Sequence, residues 1–158
     1  MSINIAHEGG GVIVSVDEIR AVPGSGLEGD RYYTQPSHNS HNPKPGREVT
    51  LIENEAIDAL QHEVGISLSL GNARRNLVTR GVPLNHLIDK QFKVGEVILK
   101  GVQLCEPCKH LEELTQPGVL AGLIHRGGLR AEILNEGIIR VGDSVEEMQQ
   151  SNLKETII

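Results

Sequence analysis

The stretch EVILKGVQLCEPCKHLEEL, Glu96 to Leu114, changes its period partway along. Up to Leu104 it reads as a β-strand, with Val97-Ile98-Leu99 leading through Gly101 into Val102-Gln103-Leu104. From Lys109 onward Leu111 and Leu114 are spaced as on one face of a helix. Cys105-Glu106-Pro107-Cys108 therefore falls at a strand-to-helix junction and holds both cysteines of the chain. Free backbone N–H groups at a helix start, together with Lys109 and His110, favour a thiolate there. All soft-nucleophile and soft-metal chemistry converges on this one tetrapeptide.

Working outward, other short β-branched runs repeat the pattern. Val12, Val14 and Val16 alternate with Ile13 and Ser15; Val49 and Leu51 alternate with Thr50 and Ile52; Leu77 to Thr79 and Leu129 to Leu134 are further runs. Asn135-Glu136-Gly137 reads as a hairpin turn between Leu129–Leu134 and Ile138–Val141. The 18 glycines, above the roughly 7% of an average protein, punctuate these runs. Two helical patterns interrupt them. Glu53 to Val64 places Ala56, Ile57, Leu60 and Val64 on one stripe and stops at Gly65, and a second starts near Cys108 and breaks at Gln116-Pro117-Gly118. The fold class expected is mainly β, a closed or nearly closed β-barrel with a few short helices, since closure removes exposed strand edges.

Length and composition bound the rest. With 158 residues and 38% apolar content, the chain fits a single domain, placed at 1–147, followed by a polar C-terminal tail at 148–158. A net charge of −6 disfavours nucleic acid as a partner, and only Tyr32, Tyr33 and Phe92 could stack on bases. The N-terminal residues lack the features of a leader, and no apolar run is long enough to span a membrane, so a cytoplasmic location is expected. Two close cysteines suit reduced, functional thiols. Pro36 to Arg47 has three prolines and no apolar anchor, which reads as a surface loop of lid length. Its His38 and His41 are too few to hold a metal without a third ligand.

Two clusters suggest an anion. Arg74-Arg75-Asn76 stands just before the Leu77 strand with Arg80 just after it, and His125-Arg126-Gly127-Gly128-Leu129-Arg130 combines cations with a flexible Gly-Gly. Guanidinium forks match phosphate and carboxylate oxygens; pairing with surface carboxylates explains such arginines equally well. No P-loop or dinucleotide fingerprint is present. The cysteine pair has several readings of its own: zinc with His110 and His125, dithiol redox chemistry, or a nucleophilic or metal-binding thiolate. Haem attachment is excluded because Lys109 follows the second cysteine.

GLEGDRYY at Gly26 to Tyr33, REVTLIENEAI at Arg47 to Ile57, RRNLVTRGVPLNHL at Arg74 to Leu87, FKVGEVILKGVQLCEPCKHLEEL at Phe92 to Leu114 and HRGGLRAEILNEGIIRVGDSV at His125 to Val145 together resemble stand-alone MOSC domains, relatives of the C-terminal domain of molybdenum-cofactor sulfurase. The resemblance runs colinearly over nearly the whole chain. It implies a barrel of the pyruvate-kinase β-barrel type and a key cysteine, matching Cys108, that accepts persulfide sulfur or ligates molybdenum. Cys105 corresponds to a more variable position and stands as a second donor or resolving thiol. Arg75-Asn76 matches an Arg/Asn step lining the molybdenum-cofactor (Mo-pterin) pocket of amidoxime-reducing relatives, and Arg31, Arg126, His125 and Lys109 are further candidates to hold an anion.

Those relatives carry an N-terminal barrel extension; none is expected here, and a complete cofactor-burying reductase site is not expected either. Pyridoxal phosphate belongs to a fused aminotransferase-like domain, and direct binding here is not expected. The implied partners are a cysteine desulfurase or sulfurase donor, or a reductase that removes N-hydroxylated bases; oligomeric state is open. On these readings the chain is a sulfur carrier or molybdenum-dependent component, or a noncatalytic cofactor- or oxyanion-binding module. Arg75→Ala is expected to weaken anion binding with little loss of stability.

Overall fold

A computed structural model describes residues 2–8, 10–33 and 47–149. The loop read as a lid, with His38 and His41, lies outside the described residues except for Arg47, as does the tail from residue 150. In chain order the elements are β1 Ser2–Ala6, β2 Ile13–Val16, β3 Glu18–Val22, β4 Gly26–Leu27, β5 Val49–Glu53, α1 Asn54–Val64, β6 Leu77–Thr79, a 3₁₀ turn Leu84–Leu87, β7 Gln91–Val94, β8 Val97–Leu104, α2 Lys109–Leu114, α3 Val119–Gly122, β9 Leu129–Ile133, β10 Gly137–Arg140 and β11 Val145–Glu147. The chain is mainly β.

The barrel expectation is corrected. Eight strands form one mixed sheet in the order β11-β7-β8-β9-β5-β6-β1-β2, and β10-β3-β4 form a separate three-stranded sheet. The edge strands β11 and β2 do not pair with each other, so the sheet stays open. Chain corners explain this. β2 and β3 are separated only by Asp17, whose carbonyl accepts the Val141 N–H at 2.9 Å, and there the chain leaves the large sheet for the small one. A bend of this kind turns a continuous ladder into two packed layers.

The Asn135–Gly137 hairpin is corrected for the same reason. β9 pairs with β5 and β8, whereas β10 pairs with β3 in the other sheet. Asn135 makes a sheet-to-sheet corner: its Oδ1 accepts the Ile98 N–H at 2.6 Å and its Nδ2 donates to the Glu96 carbonyl at 3.2 Å. The β7–β8 connection is a tight antiparallel hairpin, closing through Gly95-Glu96.

Among the described strands one pair is parallel, β5 with β6, and α1 forms the crossover between them. Parallel neighbours require such a connection. α1 buries Ala56, Ile57 and Leu60 but leaves Val64 exposed, and it ends at Gly65, whose φ of 70° supplies the left-handed cap. Ile52, Ala56, Ile57, Leu60, Val119 and Leu123 gather in a core on this helical side. The main core lies between the two sheets, with Leu51, Phe92, Leu99, Leu129, Ala21 and Ile139 wholly or nearly wholly buried. Truncating a side chain such as Phe92 there costs about 3–5 kcal/mol. Glu48 bridges the layers: its Oε1 accepts N–H groups from Gly24 at 2.9 Å and Ile133 at 3.2 Å. Burial pushes its carboxyl up from the ordinary carboxylate value, and those two N–H groups pull it partly back.

Candidate functional site

β8 ends at Leu104 and delivers Cys105 into the fold, while Cys108, in extended conformation, directly precedes α2. The strand-to-helix junction read from the sequence is therefore present. It makes the two thiols unequal. Cys105 is only 2% exposed and Cys108 is exposed, and both are free.

The loop between them is held from three sides. Cys105 donates its N–H to the Gly128 carbonyl at 2.7 Å, and its own carbonyl accepts from Arg75 Nη2 at 3.1 Å. Glu106 accepts the His125 N–H at 2.7 Å on Oε1 and faces the His125 Nδ1 at 2.9 Å with Oε2. Gly127 and Gly128 allow this approach. A Cβ on Gly127 would sit 2.6 Å from the Cys105 carbonyl oxygen and 2.9 Å from Pro107 Cδ; one on Gly128, where φ is +120°, would sit 2.1 Å from the Leu51 carbonyl oxygen.

Arg75 lies beneath the loop. It is 9% exposed and donates from Nε to the Gly127 carbonyl at 2.8 Å, besides its bond to Cys105. Burial lowers the guanidinium below its ordinary value; the Cys105 and Cys108 thiols act the other way, and Arg130 and Arg31 reinforce the lowering. An arginine nevertheless keeps its proton in a protein, so this is a buried positive charge. Among the described residues no carboxylate forms an ion pair with Arg31, Arg74, Arg75 or Arg130. Arg74 donates to the Gly11 carbonyl at 3.0 Å, and its guanidinium is lowered by burial and then by Arg31. Arg31 lies 4.6 Å over the Tyr32 ring. Arg130 is half-buried on β9, in register with Thr50 and Gln103.

The remaining sequence candidates lie apart from this cluster or are engaged in the fold. Asn76 joins strands: its Oδ1 accepts from Thr50 N–H at 3.0 Å and Thr50 Oγ1 at 3.2 Å, and its Nδ2 donates to the Asn4 carbonyl at 3.1 Å. Arg126 reaches Glu63 on α1 at 2.5 Å and the Gly122 carbonyl at 2.8 Å. His125 is committed to Glu106, and Lys109 is exposed beside Cys108. No group of three or more His, Cys, Asp or Glu side chains could hold a metal among the described residues, so the zinc alternative with His110 and His125 is not assembled.

Arg130 is the site residue that sequence reasoning noted but did not place with Arg75. Its outward position follows from the alternation along β9, where Leu129, Ala131 and Ile133 are buried and Arg130 and Glu132 are not. No described helix is long and apolar enough to cross a membrane.

The same architecture recurs in solved structures. The YUAD protein from Bacillus subtilis superposes with a TM-score of 0.75 at 15% identity, covering 94% of each chain. YiiM from Geobacillus stearothermophilus gives 0.67 at 14% identity over 94% of this chain and 74% of its own. YiiM from Escherichia coli gives 0.66 at 18% identity over 96% and 71%. These likenesses concern the fold. No curated protein matches the chain in sequence. The MOSC domain model matches residues 38–146, more than half of the chain and the segment that carries both thiols, Arg75 and Arg130. The chain belongs to the MOSC domain family, which is associated with molybdenum-cofactor binding and sulfur-carrier roles.

Proposed function

We propose that this chain is a sulfur carrier in which the Cys108 thiolate accepts sulfane sulfur from a protein persulfide donor, beside arginines that hold an anionic acceptor of the molybdenum-cofactor class. One observation carries the reading: an exposed free thiol ends the loop whose first carbonyl is held by a buried guanidinium, and that guanidinium has no carboxylate partner among the described residues. A donor can reach Cys108 but not Cys105. In the transfer, Cys108 sulfur attacks the outer sulfur of the donor persulfide; the new S–S bond forms on Cys108 as the donor's S–S bond breaks, and the donor leaves as a thiolate.

The residues fit the cofactor class in two respects. Arg75, Arg130 and Arg31 offer positive charge to a phosphate, and Cys108 offers the soft donor that molybdenum accepts. Bound there, the cofactor would supply a redox-active metal centre able to take a sulfur ligand. Burial of Arg75 matters because a charge–phosphate interaction strengthens out of water. Asn76 supports this arrangement by fixing the strand that follows Arg75.

A second reading, a noncatalytic cofactor- or oxyanion-binding module serving a reductase, is favoured by the number of arginines without an acid partner among the described residues and does not require sulfur on Cys108. Treating the full chain with inorganic polysulfide and measuring intact mass separates the two. The gain of one sulfur atom on wild type, lost in Cys108→Ser, supports sulfur carriage. Sulfur retained on Cys108→Ser, or neither added sulfur nor an internal disulfide on wild type with molybdate or phosphate still bound, removes it and leaves the binding module.

A further inference from the structure

The two thiols are unequal in a way that suits a discharge step. Cys105 is fixed through its N–H on Gly128 and its carbonyl on Arg75. Glu106 is fixed by His125, and Pro107 packs on Gly127. Of the two thiols, Cys105 is buried and Cys108 is exposed. The spacing of two intervening residues is the one at which neighbouring thiols commonly exchange with a disulfide. Arg75 holds this loop at its start, donating to the Cys105 carbonyl at 3.1 Å and to the facing Gly127 carbonyl at 2.8 Å.

From this geometry we infer that Cys105 is the resolving thiol that releases the sulfur carried by Cys108 as hydrosulfide, within the loop clamped by Arg75. The inference rests on the sulfur-carrier reading. Once Cys108 holds a persulfide, Cys105 sulfur attacks the inner sulfur, Cys108 Sγ. A Cys105–Cys108 bond forms, the bond to the outer sulfur breaks, and that sulfur leaves with the electron pair as hydrosulfide; the Cys105 proton passes to solvent. The balance closes: the sulfane sulfur is reduced by two electrons and the two thiols are oxidised to a disulfide. An external dithiol then reduces the disulfide and restores both thiols.

This design has a functional consequence. A carrier with a single thiol passes its sulfur only to a nucleophile that attacks the persulfide. With a resolving thiol, the sulfur departs as an anion, beside guanidinium groups of Arg75, Arg130 and Arg31 that have no acid among the described residues to neutralise them. The released species is then of the charge and softness that a metal centre takes as a ligand. The buried position of Cys105 also keeps outside thiols from short-circuiting the step, because attack on or by Cys105 requires access.

The test loads the full chain with inorganic polysulfide, removes the excess, and follows hydrosulfide release and intact mass without reductant. Wild type is expected to release about one hydrosulfide per sulfur loaded and to end with the mass of an internal disulfide. Cys105→Ser and Cys105→Ala are expected to keep the added sulfur on Cys108 and to release hydrosulfide on the order of tenfold more slowly until dithiothreitol is added. Thermal melts of both variants establish that they fold, and agreement between Ser and Ala excludes a packing defect peculiar to one. Release from both at the wild-type rate, or a wild-type persulfide that persists without disulfide, overturns the resolving role while leaving sulfur carriage intact. Failure of wild type and of both Cys105 variants to take up sulfur overturns the carrier reading itself.

Discussion

Two cationic segments meet at Gly127-Gly128, and among the described residues only one is matched by acid. Arg126 is paired with Glu63 and His125 with Glu106, both near the surface. Arg75, on the other side, is buried against backbone carbonyls and shares its surroundings with Arg130 and Arg31 rather than a carboxylate. The difference teaches that local charge density does not make an anion site. A surface cation with a neighbouring acid is satisfied and screened. A buried one that meets only dipoles retains attraction for an anion.

The strongest way to break the comparison is to separate the segments at their junction. Gly128→Ala places a methyl group 2.1 Å from the Leu51 carbonyl oxygen at a φ of +120°. Strand β5 or the 125–128 loop must shift, and a loss of more than about 3 kcal/mol is expected. Urea denaturation reads this directly. An unchanged midpoint would mean that the loop does not pack on β5 as described.

Arg75→Ala comes next and acts on one segment alone. It removes the buried charge and leaves the carbonyls of Cys105 and Gly127 without this donor. Affinity for molybdate or phosphate, read by calorimetric titration, is expected to fall about tenfold or more, with a stability loss of about 2–4 kcal/mol. The sequence-based expectation of little stability loss is thereby replaced, because the side chain clamps two loops. Arg75→Lys sharpens the point: it keeps the charge but cannot reproduce the fork, so it should restore part of the affinity and less of the stability.

Arg130→Ala is smaller. The side chain stands on the outward side of β9 and makes no ion pair among the described residues. A few-fold loss of anion affinity, about threefold to tenfold, with stability changed by less than about 1 kcal/mol is expected. Equal affinity in wild type and variant would confine the site to Arg75 and Arg31.

Much of this was legible before the structure. The Cys105–Cys108 junction, the Gly65 helix stop and the break at Gln116–Gly118 all follow from short-range patterns, and they stand where expected. What stayed hidden depends on partners distant in sequence. Nothing local distinguishes Arg75 from Arg126; the first meets carbonyls 30 and 52 residues away, the second meets Glu63. Sheet closure failed as an expectation for a related reason. Asn135-Glu136-Gly137 has turn chemistry, but Asn135 spends its amide on Glu96 and Ile98 and sends β10 to the other sheet. Turn residues specify a bend, and the partner strand is chosen by the core.

The smallest expected effect is the most discriminating for the comparison. Arg126→Ala removes a guanidinium that sits next to Gly127 in sequence and was a candidate for the anion pocket on that ground. Its partners are Glu63, an exposed carboxylate, and the Gly122 carbonyl at the end of α3. An exposed pair of this kind contributes about 0.2–1 kcal/mol. The helix-end hydrogen bond can be replaced by water, so the stability loss should stay near about 1 kcal/mol. A double-mutant cycle with Glu63→Gln should return a coupling within that range, since the cycle isolates the pair from the helix-end bond. Anion affinity should change by less than about twofold, because the freed Glu63 carboxylate is exposed and screened by solvent and the Arg75 surroundings are untouched. A loss comparable to that of Arg75→Ala would join the two segments into one site and erase the distinction between matched and unmatched charge.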